Sequence, residues 1–409
     1  MPIINQVVQG GGTQPSGTIQ ITTNGTHDVT SYANADVQVP TTAPQIYRVF
    51  SDENGTLVNS TTTPFLQLPN TITDISEYTL ADAYRNTPSS VLNGTIDLSS
   101  LTTISGTYGC YNMFGNCLGI TSANLSSLTT ISGNSACNFM FSGCTGLTSA
   151  NLSSLATVSG NSGCASMFSG CTGLTSADIS ALTTVSGNNG CNAMFNSCTG
   201  LTSANLSSLT TVSGLNGCAT MFNNCTGLTS VDISALTTIS ANTACNYMFN
   251  NCTGLTSVDL CSLSVMNRSG ACTNMFSSCS NLTRLSFYAL STSSFGTYTN
   301  VFNNMLWGVN GCTVHFPMAI QSTIGSWADV TYGFGGSNTT VLFDIVTTLT
   351  GADSNSYKRQ QKESTSTATA WTYNDTLYYT SGTTEPSVNA TIYSDSACTT
   401  VVTTVSAIA

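Results

Sequence analysis

A chain of 409 residues, 40% of it hydrophobic, is long enough for two or three domains with a sizeable core. Only 6% is charged, against roughly a quarter in an average soluble domain, so solubility rests on Ser, Thr, Asn and Gly. A net charge of −11 and one small basic cluster, Lys358, Arg359 and Lys362, exclude a nucleic-acid partner, which needs a dense positive footprint.

The first residues, MPIINQVVQGGGTQPSG, have neither a positive n-region nor an apolar h-region, and no run approaches the ~18 apolar residues of a membrane span. The expectation is a protein made in a cytoplasm, outside the usual secretory route and not inserted in a membrane. Sequons such as Asn124-Leu-Ser then carry no glycan. Gly10–Gly12 lies outside any strand–helix context and reads as a flexible linker. Residues 1–42 form a small β module after that flexible start: Thr18–Pro40 alternates apolar and polar residues about Asn24-Gly25, a hairpin signal. Residues 43–78 form a linker or cap, with a second hairpin about Asn54-Gly55.

A repeat follows. Cys110, Cys137, Cys164, Cys191, Cys218, Cys245 and Cys272 stand 27 residues apart, and each has a second cysteine seven residues on, from Cys117 to Cys279. The period lies in the leucine-rich-repeat range. Within a unit, Cys137, Met140, Phe141 and Cys144 fall at i, i+3, i+4 and i+7, the apolar stripe of a short helix. Leu147, Ala150, Leu152, Leu155 and Val158 follow in leucine-rich spacing, with Ala150 and Leu152 alternating against polar residues as in a strand. One short helix and one short strand, stacked seven times, make an α/β solenoid over residues 79–320. Leu80–Asn86 reads as a cap helix, Thr299–Met305 as a last helix half and Cys312–Pro317 as the last strand.

Four readings of the cysteines compete. Zinc favours C-x(2–4)-C pairs, whereas these are C-x6-C with only His27 and His315 in the chain. Two helical cysteines seven apart lie about 10 Å apart along the axis, and neighbouring helices pack at ~8–10 Å, whereas a disulfide needs Cα atoms within roughly 7 Å. A catalytic thiol needs a cationic or histidine neighbour, which the repeats barely supply. The remaining reading is a buried core ladder, in which Cys137, Cys144, Cys164, Cys171, Cys245, Cys252, Met248 and Phe249 are packing residues. Cys261 replaces a Ser after its strand and is expected near the surface as an adventitious reactive thiol.

Outward strand positions carry Asn124, Asn151, Asp178, Asn205, Asp232 and Asp259 in one column, flanked by serines. This is the candidate binding face, for a glycan, a cation or a protein. Thr129-Thr130 pairs, which would suggest ice binding, are expected beyond the strand. No phosphate-loop, nucleophile-elbow or zincin motif is present, and the acids are isolated column members. No catalytic residue, cofactor or metal ligand is assigned, and an enzyme is not expected.

After a connector at 321–344, residues 345–409 read as a separate small β domain, with short aromatic and β-branched strands from Thr367 to Val402.

The unit MFNNCTGLTSVDISALTTIS (Met221–Ser240) resembles the bacterial-surface-antigen (BspA-like) class of leucine-rich repeats, whose implied role is adhesion or display. ITTNGTHDVTSYANADVQVP (Ile21–Pro40) resembles a module of tailed-phage structural proteins, especially those of gut phages. YYTSGTTEP (Tyr378–Pro386) and IYSDSACT (Ile392–Thr399) are similar to small β modules of phage fibres. The resemblances imply a virion fibre or decoration subunit, on the particle exterior and expected to be a homo-oligomer. Its N-terminal module would hold other virion proteins, and the rest would meet a host-surface glycan or protein. The alternatives are a bacterial cell-surface adhesin and, further off, a polysaccharide-degrading enzyme.

Overall fold

Every 27 residues the chain completes one turn with three sides: a strand of three residues, a strand of two, and a long run of tight turns. A computed structural model describes residues 93–296 and 300–317 without a break. It also describes 18–19, 21–22, 36–37, 48–49, 66–67, 74–75, 80–81, 84–86, 89, 320–324, 334–344, 348–351, 356–360, 368–373, 376–381, 390–394, 398–399 and 401–408.

The first side is a row of parallel strands in one register. Ser149, Ala150 and Asn151 pair with Ser122, Ala123 and Asn124 on one side and with Ser176, Ala177 and Asp178 on the other. The row begins with Leu66–Gln67 and Asn93–Asp97. It continues in two further sets, Ser203–Asn205 with Ser230–Asp232, then Ser257–Asp259, Arg284–Ser286 and Thr313–Pro317. Pairing loosens after each Asp-Ile-Ser-Ala unit, at Asp178 and at Asp232.

The second side is an unbroken row of seven two-residue strands, from Thr103–Ile104 to Val265–Met266. The second residue of each strand, Ile, Val or Met266, is fully buried while the threonines and Val265 before them look outward, the period-2 pattern of a strand with one wet face. The second threonine of each pair, such as Thr130, thus lies on this row, beyond the first row, and the first threonine lies just ahead of it. Hydroxyls such as Thr129 and Thr183 donate to the carbonyls of Thr102 and Ala156 in the preceding repeat, at 3.0 Å each.

The third side overturns the expected helix. From Ser135 to Cys144 every second residue donates its N–H to the next repeat, as Cys137 does to Gly163 O at 2.7 Å and Phe141 to Met167 O at 2.8 Å. The residues between donate three positions back, as Met140 does to Cys137 O. Ser135, Phe139 and Gly143 all have positive φ, so a left-handed residue recurs every four positions, and a right-handed helix cannot pass through it. The stripe at i, i+3, i+4 and i+7 fits this four-residue period as well as a helix. Stacking supplies a partner for every second peptide, which removes the need for an i→i−4 ladder. Leu80, Tyr84 and Asn86 donate to Gly109 O, Met113 O and Gly115 O in the same way, and Met305 and Trp307 make the same backward bonds. Both expected cap helices are therefore turn layers. Among the described residues helix is confined to a 3-10 turn, Thr292–Phe295, and a short stretch at 320–324 that holds the four-residue α-helix Gln321–Ile324.

These bonds join into continuous spines. Cys137 N–H meets Gly163 O; the N–H of that same peptide group, on Cys164, meets Gly190 O; the chain runs on through Cys191, Cys218 and Cys245 to Ala271 O. Inside the solenoid, Tyr84, Phe114, Phe141, Phe168, Phe195, Phe222, Phe249 and Phe276 stack with centroids 5.0–5.5 Å apart and planes within 14°. This is the offset-stacked range, worth about 0.5–1.5 kcal/mol per pair beyond burial. Glycine allows the closeness: a Cβ on Gly160 would stand 2.1 Å from Gly133 O.

The described residues divide into two compact units. The first holds the repeats, through His315, with 322–342; the second holds 316–321 and 343–409. In the second, six strands from Thr348–Gly351 to Val401–Ile408 close into an antiparallel barrel. Near the N-terminus, Thr18–Ile19 pairs parallel with Asp36–Val37, and Ile21–Thr22 antiparallel with Arg48–Val49. A hairpin about Asn24-Gly25 would have set its own arms antiparallel, so these pairings differ from it. The turn residues at Asn24-Gly25 and Asn54-Gly55 lie outside the described residues.

Candidate functional site

The outward column of the first strand row is positioned by the strand's alternation: Ala150 and Leu152 point into the core and Asn151 between them points out. Asn151, Asp178, Asn205, Asp232 and Asp259 are exposed and Asn124 is half-buried. Each also has a structural task. Its Oδ1 accepts the amide two residues on, from Ser126 N to Asn124 at 3.2 Å through Cys261 N to Asp259 at 2.8 Å. Such Asx turns close the corner after a strand. In Asp178 and Asp232 the same oxygen also takes the hydroxyl of Ser180 or Ser234, at 2.7 Å. The amide of Asn124 donates to Asp97 Oδ1 at 3.1 Å, whereas the second oxygen or the amide of the other five side chains faces outward.

A shallow groove of about 640 Å³ runs across this face, lined by Ser122, Asn124, Ser149, Asn151, Asp178 and Asn205 with their neighbours. The structure brings those four column members together, and Asp232 and Asp259 continue the column beyond the groove. Arg284, not singled out from the sequence, takes the serine position opposite Ser257, and its buried Nε has no hydrogen-bond partner. Its departure from the serine column was the available signal. Among the described residues no group of three or more His, Cys, Asp or Glu is placed to hold a metal ion.

None of the seventeen cysteines is joined in a disulfide. Cys137, Cys144, Cys164, Cys171, Cys245 and Cys252, with Met248 and Phe249, are fully buried. The second column also bonds to the backbone: Cys144 Sγ donates to Phe114 O at 3.1 Å, and Cys252 Sγ to Phe222 O at 3.1 Å. Each of these carbonyls also takes a backbone amide from its own repeat, Cys117 N and Cys225 N. Burial pushes the thiols of Cys110, Cys225, Cys272 and Cys279 up to about 12, and those of Cys137, Cys171 and Cys245 well above their ordinary value. Hydrogen bonds from Cys164 and Cys218 lower Cys191 and raise its two partners, while burial opposes ionisation of all three. Cys261 is half-buried, and desolvation followed by the Asp259 carboxylate raises its pKa. It therefore lacks the thiolate character expected of a reactive surface thiol.

A model of the BspA-type leucine-rich repeat region matches in six copies, over residues 53–201, 110–256 and 192–305, together more than half of the chain. The chain belongs to the BspA-type leucine-rich repeat family. No curated protein matches it. One similar solved structure is the glycosylated Toll–Spatzle complex, described as a molecular hub in Drosophila development and innate immunity, at 18% identity and a TM-score of 0.31. That match covers 67% of this chain and 34% of the other, so this BspA-type chain spans about a third of its length.

Proposed function

We propose that this chain is a virion structural protein, a fibre or decoration subunit, that displays its BspA-type solenoid for adhesion to a host surface. The supporting observation is the open groove over Asn124, Asn151, Asp178 and Asn205, on a scaffold whose spines and stacked rings repeat without interruption. Such a face of small polar groups suits many weak contacts rather than catalysis. Copy number then multiplies them into firm attachment. The N-terminal segment with Ile21–Pro40 would dock to the particle, and the C-terminal barrel would add a second contact with host glycan or protein. Peptides of the chain should appear at several copies per particle in gradient-purified virions. Virions without them would refute the reading.

The family match favours a second reading, a bacterial cell-surface adhesin. Recovery of the chain from washed cell envelopes in the absence of particles would select it.

A further inference from the structure

The turn layer carries aromatic side chains that the fold does not call for. At the position of Phe139 the other repeats have Asn112, Ser166, Ala193, Thr220, Tyr247 and Asn274. Every one of these residues has a positive φ, including Phe139 at 59° and Tyr247 at 53°. Asn tolerates this left-handed conformation, whereas a bulky side chain there is an outlier. Tyr108 repeats the pattern four residues earlier in the turn layer, at φ 59°, where later repeats carry Ser135, Ser162 and Asn189.

The three rings of the first two repeats form one surface cluster. Tyr108 and Tyr111 meet edge to face at 5.4 Å, and Tyr111 meets Phe139 edge to face at 6.1 Å. Phe139 is 37% exposed and Tyr247 38%. A second cost accompanies the two exposed rings. Asn138 Oδ1 beside Phe139 and Asn246 Oδ1 beside Tyr247 are both buried without a hydrogen-bond partner. Asn192, beside the small Ala193, has no such buried orphan. Strained backbone and an orphaned acceptor recur together wherever an aromatic enters this column, a combination that marks functional sites.

We infer that this side of the turn layer, in addition to the first strand row, binds a neutral hexose oligosaccharide. Tyr108, Tyr111 and Phe139 form the principal subsite and Tyr247 a second. Segments 107–142 and 241–256 contain no charged residue, and the Asp74 carboxylate held by Ser105 repels an anion near the first cluster, so the ligand suited to both subsites is uncharged. Exposed rings cover the apolar C–H face of a sugar, and the amides around them suit its hydroxyls. Phe139 and Tyr247 lie four repeats apart on one column, and each repeat advances by the 5.0–5.5 Å of the phenylalanine stack. An extended chain of several hexoses spans the two. The inference deepens the adhesive reading and rests on it.

The test uses saturation-transfer NMR and calorimetry on the full chain with cellohexaose, mannohexaose, maltohexaose and laminarihexaose. The substitutions Tyr111→Asn, Phe139→Asn and Tyr247→Asn copy residues native to the same columns, so they keep the fold. At least one hexaose should bind. Tyr111→Asn and Phe139→Asn should each weaken it tenfold or more, and Tyr247→Asn should weaken the hexaose but not the corresponding trisaccharide. Thermal stability should stay level or rise in Phe139→Asn, as strain is relieved. The site is overturned if none of the four hexaoses binds, or if Phe139→Asn and Tyr111→Asn bind as the parent does. If hexaose binding is absent while the chain still attaches to host cells, the site fails and the adhesive reading stands.

Discussion

Asn151 shows how one residue serves the fold and a partner together. Its Oδ1 holds Ser153 N at 3.0 Å, while the rest of its amide faces the groove. Asn151→Ala should cost about 1 kcal/mol through the lost turn bond, the size of a typical net hydrogen bond. Asp178→Asn keeps the acceptor and should leave stability within about 0.5 kcal/mol, while removing one negative charge from the groove. Urea unfolding of the two variants separates these outcomes. Equal losses would mean that the Asx turn is not what the column contributes. The turn was legible in the sequence as a recurring Asn/Asp-x-Ser after an apolar strand position, as in Asn151-Leu-Ser153. The column was instead read as a free polar face, because outward alternation was the stronger signal.

At the scale of elements, the two strand rows and the third side differ in how far local sequence could reveal them. The Ala150/Leu152 alternation marks a strand within one unit, and the 27-residue spacing repeats it into the first row. The second row has two residues per turn, too few for alternation to register, and its pairing exists only between repeats. The third side looks like a helix in sequence because Cys137, Met140, Phe141 and Cys144 match both periods. The discriminating residues lie between them: Ser, Asn and Gly recur at the left-handed positions, as at Ser162, Ser166 and Gly170. They make poor helix interiors, and their bonds run to the next repeat, which no single unit reveals. Closeness between repeats carries its own prediction. Gly160→Ala puts a methyl group 2.1 Å from the Gly133 carbonyl, and that backbone oxygen cannot rotate away. The variant should lose roughly 2–4 kcal/mol by overpacking, read from its denaturation midpoint. A loss below about 0.5 kcal/mol would contradict such close stacking.

For the whole molecule, the thiol ladders tie stability to pH. An unfolded chain ionises cysteine near pH 8.5, whereas burial holds Cys110, Cys225, Cys272 and Cys279 protonated up to about 12. The folded pKa is the higher one, so this stability is complete below about pH 8.5 and is lost as pH rises through the range between. One thiol costs about 1.4 kcal/mol per pH unit there. These four thiols together cost roughly 6 kcal/mol per pH unit, so one to two units consume the ~5–15 kcal/mol of an ordinary domain. The repeats should therefore unfold cooperatively between about pH 8.5 and 10, followed by circular dichroism and thiolate absorbance. Intact structure at pH 11 would show that the thiols are not shielded in this way.

Family membership and the polar groove leave the place of display as the claim on which the rest depends. Immunogold electron microscopy of a lysing culture, with an antibody raised against the repeat segment, tests it most directly. Gold on the outside of assembled particles, at several grains each, is the expected result. Gold on the cell envelope, or scattered in the cytosol with bare particles beside it, would contradict it.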